Sequence, residues 1–586
     1  MLFTQHSGEL RSSLPIKDDL VTISHDVFKN EISKHTLITS HNNVSSPRSE
    51  RVTKELANET TSTTINKATN PAKVVTMKAQ EVYRSTHVDL YPYRKYDPLA
   101  MEWINTVEEM EWIHRNSYNE DKKDYKKPFD HGTGEMWSTS VIKTRVIVKT
   151  DRNDIRKGSY ICVEIETFDD NGRKRKRGGD FFTANMANVA LQKSTAGRVV
   201  DHGNGTYSVF FYAAWSGEAQ IDIALSFPRE IIIHTKNTMR REELQGFAAN
   251  YSDGKWNAET RCSLINEGVW SDRCEYINPN ALGKTVFACV KLPYFSCDQL
   301  INVWSKGAGL NRLPLDEKQK VQYIYDGRYS PNTLKETPIK LKILEAEVSP
   351  PKLPPCGPDV PIPLSSGYWE NSSVFVPLVC QSQQWRQQDI DNCIADKEFF
   401  SVGDSTLGPL VKWFLKSPEL RESNIYFMTP RLAGPRVKIF ETIFEADLID
   451  KISKRNCQSK THVVFLNFCF HFAGWSTRAY VERLVRVNLA ILRLLQRCPN
   501  SKIMIKLAHS RENLYKEQRN NLNWIYYDMN RIARRVFGGT GVLFLDLWDM
   551  INSSFQENTI HMHGAVAQQE FYLAISYICP EYVKLQ

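Results

Sequence analysis

From about residue 386 to the C-terminus, short apolar runs alternate with amphipathic segments, and this constrains the fold most. The strand-like runs are "KEFFSV", "NIYFMT", "RVKIFETIFE", "THVVFLNFCF", "SKIMIKLA" and "GVLFLDL". Between and after them, helical spacing is predicted over 406–416, 477–497, 513–536 and 566–578. In the second of these, Val481, Leu484, Val485, Leu489, Leu492 and Leu495 share one face, with Glu482, Arg483, Arg486 and Arg493 off it. Strands alternating with helices over some two hundred residues predict a parallel sheet covered on both sides. Ligands of such folds sit beyond the C-terminal strand ends.

A different texture precedes it. From Ser138, short alternating runs such as Tyr160–Glu166 and Thr206–Phe211 are punctuated by Asp170-Asn171-Gly172 and Gly203-Asn204-Gly205. Strands at regular turn spacing predict a β-sandwich over 138–235. The aromatic stretch "VFFYAAW" is sandwich core. The basic run Arg173–Arg177 follows Asn-Gly directly, and strand-like sequence resumes at once, so it reads as a solvated loop rather than a nuclear-localisation or polyanion patch. Residues 236–385 read as a Cys-bearing connector. It ends in the stiff spacer "VSPPKLPPCGPDVPIP", where a domain boundary is expected. Residues 1–95 are rich in Ser, Thr, Asn and Lys and read as a disordered polar segment, and 96–137 as a helical or irregular linker.

The chain of 586 residues, with 41% hydrophobic and 24% charged residues, has the composition of multidomain globular protein, and its net charge of +8 singles out no polyanionic partner. It shows neither a transmembrane stretch nor a signal peptide. Yet twelve Cys cluster at loop-closing spacings (Cys262, Cys274, Cys289 and Cys297; then Cys356, Cys380 and Cys393) with no C-x-x-C pair. Six N-x-S/T sequons also occur, at Asn43, Asn58, Asn204, Asn250, Asn371 and Asn552. Together they point to a glycosylated secretory chain, Golgi-luminal or extracellular, whose leader is missing here. Asn204, Asn250, Asn371 and Asn552 are the glycosylation candidates within the predicted folded parts.

Chemistry concentrates in Gly403-Asp404-Ser405, between "KEFFSV" and a helix. A serine there gains a tight turn and a helix N-terminus whose N–H groups can hold an oxyanion. The alternative is that Asp404 or Ser405 only caps the helix. Further on, "VGDSTLGPLVKWF", the paired Cys380 and Cys393 upstream of it, "SKIMIKLAHSRE", "LDLWDM" and "NTIHMHG…ISYIC" occur in order. They resemble the C-terminal domain of the neurexophilin and PC-esterase (NXPE) family. "GRKRKRGGDFFTA" and "AGRVVDHGNGTYSVFFYAAWSGEAQIDIALSFP" are similar to that family's neurexophilin-type sandwich. The resemblance implies an immunoglobulin-like, filamin-type β-sandwich followed by an SGNH/GDSL-like three-layer α/β domain over 386–586. It also implies an endoplasmic reticulum–Golgi or extracellular location, and addition or removal of O-acetyl groups on glycans, sialic acids among them.

On that resemblance Ser405 is the nucleophile and His561 the base, with the Ser405 backbone N–H in the oxyanion hole alongside Gly403 and Asp404. The sequence departs from the family pattern at Asn558, where an Asp three residues before the His is expected. An Asp-to-Asn change of this kind costs a serine protease about four orders of magnitude in turnover. It departs again in "Asn467-Phe468-Cys469-Phe470-His471-Phe472", where Cys469 replaces a small residue. Asn467 remains a possible oxyanion donor and His563 a second base, with Asp546 or Asp549 available to orient a histidine. His471 is a further candidate to hold the oxyanion or to support the groups that do, although on an apolar strand it reads more readily as a packed core histidine. His561 and His563 lack a third metal ligand, so no metal is expected. The reading is an acylesterase or acyltransferase with no bound cofactor, using acetyl-CoA if it transfers, a glycan or glycoprotein acceptor, and no nucleic acid. The alternative is a secreted binding protein that meets a receptor through its sandwich and carries a degenerate esterase domain.

Overall fold

The computed structural model describes residues 138–234, 247–263, 272–277, 286–305, 332–346, 352–358, 360, 364–414, 425–428, 444–473, 477–511 and 523–583. The polar segment 1–95, the linker 96–137 and all but the last two residues of the strand expected at "RVKIFETIFE" lie outside them; those two, Phe444 and Glu445, open a helix instead.

The first strands are β1 (Arg145–Val148), β2 (Tyr160–Glu166), β3 (Phe181–Asn188), β4 (Lys193–Ala196), β5 (Arg198–Asp201), β6 (Thr206–Tyr212) and β7 (Gly217–Phe227), followed by helix α1 (Arg229–His234). They form two antiparallel sheets. The four-stranded sheet runs β1-β2-β6-β5, and the larger one is built on β7-β3-β4. Strand periodicity of two produces the core: Ile161, Val163 and Ile165 of β2 and Tyr207, Val209 and Phe211 of β6 are fully buried. They pack against Phe182, Ala184 and Met186 of β3 in one cluster. The aromatic run at 209–215 joins this core as expected.

Two expectations for this region change. The stretch read as connector contributes strands to the sandwich. β13 (Asn332–Thr333) and β14 (Ile339–Ile343) pair with β7, while β15 (Gly367–Asn371), hairpinned to β16 (Val374–Pro377), pairs with β4. The Pro-rich spacer therefore runs between two elements of one sheet. The basic run is not simply solvated either: Arg173 pairs with Asp169 at 2.8 Å, Lys174 with Glu166 at 2.6 Å, and Arg175 turns inward to Glu230 of α1. Only Arg175 is drawn into the fold; Arg173, Lys174 and Lys176 stay exposed, as expected of a loop.

A separate antiparallel sheet, ordered β10-β11-β9-β8-β12, comprises β8 (Phe247–Ser252), β9 (Asn257–Ser263), β10 (Arg273–Ile277), β11 (Val286–Val290) and β12 (Leu300–Ser305). Cys262–Cys289 and Cys274–Cys297 staple it.

The C-terminal part begins with α2 (Gln387–Ile394) and holds a parallel sheet ordered β18-β17-β19-β20-β21. Its strands are β17 (Lys397–Val402), β18 (Ile425–Met428), β19 (Thr461–Asn467), β20 (Lys502–Lys506) and β21 (Leu543–Leu545). Alternate residues feed opposite faces. Phe400, Val464 and Ile505 pack with α4 (Glu445–Ser453), α5 (Thr477–Arg497) and α6 (Asn523–Phe537). Phe399, Val463 and Met504 pack with α3 (Gly408–Phe414), α7 (Trp548–Asn552) and α8 (Gly564–Ile578). The helix over 477–497 matches its periodicity to the residue.

Three further disulfides close this part: Cys356–Cys380, Cys393–Cys579 and Cys457–Cys498. Cys380 and Cys393 thus take different partners, and Cys162 and Cys469 are free thiols. Cys393–Cys579 ties α2 to the end of α8 across 186 residues. Loop-closure entropy for a loop of this length is about 5 kcal/mol. Replacing both cysteines by serine is expected to lower stability by about 2–5 kcal/mol, measured as a fall in the urea midpoint. Replacing Cys162 by serine is expected to leave the midpoint nearly unchanged.

Candidate active site

Ser405 stands just past the C-terminal end of β17, where it opens a short 3-10 turn, Ser405–Leu407, leading into α3. The two readings of Gly403-Asp404-Ser405 divide between its residues. Asp404 is the cap: its Oδ1 accepts the Thr406 N–H at 2.9 Å and the Thr406 hydroxyl at 2.6 Å. The Ser405 side chain takes no part in capping. It is exposed, and its Oγ lies 2.8 Å from His561 Nε2, across 156 residues of chain.

Asn467, at the end of the adjacent strand β19, holds this turn. Its Oδ1 accepts the Asp404 N–H at 2.8 Å, and its amide donates to Asp404 Oδ1 at 2.8 Å and to Thr406 Oγ1 at 2.6 Å. Both amide hydrogens are therefore committed. Asn467 is buried and supports the turn rather than donating to an oxyanion, which corrects the expectation for it. Gly403 is required for this approach, because a Cβ there would come within 2.1 Å of Asn467 Oδ1. The N–H groups of Asp404, Thr406 and Leu407 are all used, the last by the Asp404 carbonyl at 3.2 Å. Among the described residues the Ser405 N–H has no acceptor, so it is the donor open to an incoming oxyanion.

Beneath the turn lies an ion pair that sequence reasoning missed. Lys506, the last residue of β20, is 2% exposed; its Nζ donates to the Thr406 carbonyl at 2.8 Å and pairs with Glu570 of α8 at 2.6 Å. Burial raises the pKa of the Glu570 carboxyl, and Lys506 opposes that rise. The lysine that closes "KIMIK" and a lone glutamate in an apolar helix were the available signals.

His561 approaches from the loop between α7 and α8. The start of that loop is fixed by the sandwich. The last carbonyls of a helix have no partner within it, and here Trp369 Nε1 donates to Met550 O at 2.8 Å, Asn185 Nδ2 to Asn552 O at 2.9 Å, and Ser194 Oγ to Ser553 O at 2.5 Å. Further along, the Asn558 amide donates to Ser510 Oγ at 2.9 Å, while its buried Oδ1 has no hydrogen-bond partner. Asn558 therefore does not hold the His561 imidazole. Neither do the two aspartates considered for that role: Asp546 pairs with Arg534 at 2.6 Å, and Asp549 with Arg198 at 3.4 Å and the Ser366 N–H at 3.2 Å.

The remaining candidates are dispersed. His471 is exposed on a 3-10 turn (Phe470–Phe472) after β19, not packed in the core, because the strand ends at Asn467. His563 is exposed at the N-cap of α8, and no hydrogen bond joins it to Ser405. Of the sequons, Asn204 and Asn371 sit in turns with their Oδ1 accepting the hydroxyls of Thr206 at 2.6 Å and Ser373 at 2.7 Å. Asn250 lies on the inner strand β8, and Asn552 ends α7 with Ser553 buried beside it, so neither presents an open turn.

His509 is a second feature that the sequence reading passed over. It is fully buried, packed on Phe470 with ring centroids 4.9 Å apart. It faces the carbonyls of Thr559 and Ile560 without strict hydrogen-bond geometry. Burial first, then Lys506, lowers its pKa to about 3. The unfolded chain, with an ordinary histidine near 6.5, binds the extra proton first, so stability is lost as pH falls from about 6.5 towards 3. The slope is at most about 1.4 kcal/mol per pH unit. His509→Gln is expected to flatten that part of the stability curve, measured by urea unfolding at pH 7, 5.5 and 4.5. An unchanged slope would assign acid sensitivity to other groups.

Two family models match the chain. One, described as Neurexophilin, covers residues 133–318. The other, described as NXPE family member 4-like, C-terminal domain, covers residues 421–579, a range that includes His561 and begins downstream of Ser405. Among solved structures, the chain is similar to the Lin-41 filamin domain (9% identity, 15% of this chain and 80% of that one, TM-score 0.13). It is also similar to invasin, a bacterial integrin-binding protein (9% identity, 45% of this chain and 46% of that one, TM-score 0.13), so it spans less than half of invasin. The two family matches fall in the order of the two textures read from the sequence and together cover more than half of the 586 residues. The chain belongs to the neurexophilin and PC-esterase (NXPE) family.

Proposed function

We propose that the protein transfers or hydrolyses an O-acyl group, most simply acetyl on a glycan hydroxyl, through a Ser405–His561 pair in an SGNH-type α/β domain. The observation that carries this is the 2.8 Å contact between Ser405 Oγ and His561 Nε2 at the C-terminal edge of the parallel sheet. His561 Nε2 accepts the Ser405 proton as Oγ attacks the ester carbonyl. The Ser405 N–H then stabilises the tetrahedral oxyanion. The imidazolium returns the proton to the leaving group, and water or an acceptor hydroxyl, activated by the same imidazole, releases the acyl group. In the transfer direction the acyl donor is acetyl-CoA, and the acceptor a glycan or glycoprotein. Five disulfides support a secretory-pathway setting for this chemistry.

A second reading, a binding protein with a degenerate esterase site, is favoured by one observation: Asn558 engages Ser510, and among the described residues no carboxylate bonds the His561 imidazole.

Purified protein is expected to react with a fluorophosphonate probe and to turn over an aryl acetate, and Ser405→Ala and His561→Ala to lose both activities. Equal labelling of wild type and Ser405→Ala removes Ser405 from the mechanism and favours the binding protein. Asn558→Asp is expected to raise kcat, with up to about four orders of magnitude available from a restored orienting carboxylate. An unchanged kcat in an active wild type would mean that packing around His509 and Ser510 already fixes His561.

A further inference from the structure

A cavity of about 400 Å³ lies between the sandwich and the α/β part, walled by β3 and β5 on one side and by α6 and the segment after β21 on the other. Trp524, Tyr527, Arg531 and Arg534 line it from α6, at the i, i+3, i+7 and i+10 spacing that puts side chains on one helix face. Phe181 from the sandwich meets Tyr527 with ring centroids 5.5 Å apart, and Tyr527 meets Trp548 at 5.3 Å. The aromatic wall is thus shared by both parts of the molecule. Tyr527 remains 39% exposed.

The charges of the lining choose between ligand classes. Four arginines and four aspartates balance. Arg198 is held to Asp549 only at 3.4 Å and Arg534 to Asp546 at 2.6 Å, while among the described residues Arg531 makes no ion pair. A nucleotide or a sulfated chain would bring several negative charges against those carboxylates. A sugar ring brings hydroxyls that planar guanidinium and carboxylate groups bind in pairs, and a C–H face that packs on an aromatic ring. One spare guanidinium matches at most one negative charge.

The cavity also lies towards the same C-terminal edge of the sheet as Ser405. Asp546 and Trp548 directly follow the C-terminal end of β21, and Ser405 follows the same end of β17, three strands away. At about 4.8 Å per strand the separation is about 14 Å, a span covered by two or three sugar units. We propose that this cavity binds a neutral or singly charged saccharide, as the distal subsite of the acceptor or ester-bearing glycan. The distal-subsite role rests on the acyl-transfer reading above; the binding itself does not.

The test uses the full chain carrying Ser405→Ala, titrated by calorimetry with N-acetyllactosamine oligosaccharides, the same chains ending in one glucuronate, a heparin oligosaccharide and CoA. Binding of a neutral or singly charged chain is expected, weakened tenfold or more by Tyr527→Ala and by Arg531→Ala, each also tested in that background. In the otherwise wild-type chain both cavity variants are expected to hydrolyse an aryl acetate at the normal rate, which also reports that they fold. Failure of every neutral and singly charged chain to bind overturns the proposal, as does binding untouched by both variants or tighter binding of heparin or CoA. Saccharide binding without any aryl acetate turnover would keep the cavity and sink the acyl-transfer reading instead.

Discussion

The geometry of the site depends first on the buried amide of Asn467. β17 and β19 are neighbours in a parallel sheet, so the residue that ends β19 lies beside the turn that ends β17. With three hydrogen bonds from one side chain, the amide holds Asp404 and Thr406 and leaves Ser405, between them, unclaimed. Each buried partner deprived of its bond costs about 1–3 kcal/mol. The Lys506–Glu570 pair works on the same turn from below, through the Thr406 carbonyl. A buried ion pair adds little net stability against an apolar pair of equal size, yet removal of one partner is costly. Its effect here is positional: it ties the turn to β20 and α8 at once.

The second half of the site reaches Ser405 by a longer route. The loop bearing His561 begins where α7 ends, and three side chains of the sandwich take the carbonyls exposed there. Damage to the sandwich would therefore reach the imidazole through α7, although Asn185, Ser194 and Trp369 are remote in sequence from the chemistry. This joins the two family-defining parts physically. The sandwich is both a candidate binding surface and part of the frame that positions His561. The extra strands β13 to β16 follow the same logic, since they continue the sandwich sheet and deliver the chain to α2 and the parallel sheet.

What the sequence made legible follows from periodicity and local chemistry. The helix over 477–497 and the apolar strands were readable because burial on one face or two repeats at a fixed interval. Ser405 and His561 were readable through resemblance, and the structure brings them together. Other features depended on contacts with no local signature. Nothing in "NNLNWIYYDMNRIARRVF" states that its Trp524–Arg534 face would meet a sandwich, and nothing near Asn558 states that its amide would choose Ser510. His471 was misread because the apolar run around it continues past the end of the strand: the chain turns at Cys469 while hydrophobicity goes on. The connector was misread because proline-rich composition marks stiffness, not a break in sheet pairing.

Asn558 and His509 bear on the same question from opposite sides. A triad carboxylate fixes an imidazole by accepting a proton from its second nitrogen and by stabilising the imidazolium. Here the first duty passes to packing. Asn558 anchors the loop to Ser510, Thr559 Oγ1 closes it on the His561 carbonyl at 2.9 Å, and the buried ring of His509 lies against the two carbonyls before His561. The second duty has no substitute among these contacts. An imidazole placed by packing alone is aimed, but among these contacts no carboxylate stabilises the imidazolium it would form; under the acyl-transfer reading proposed above, such a base is a weak one. On that reading the proposed saccharide subsite and the missing carboxylate bear on each other, because a weak base gains most from an acceptor held in place before the acyl group is released.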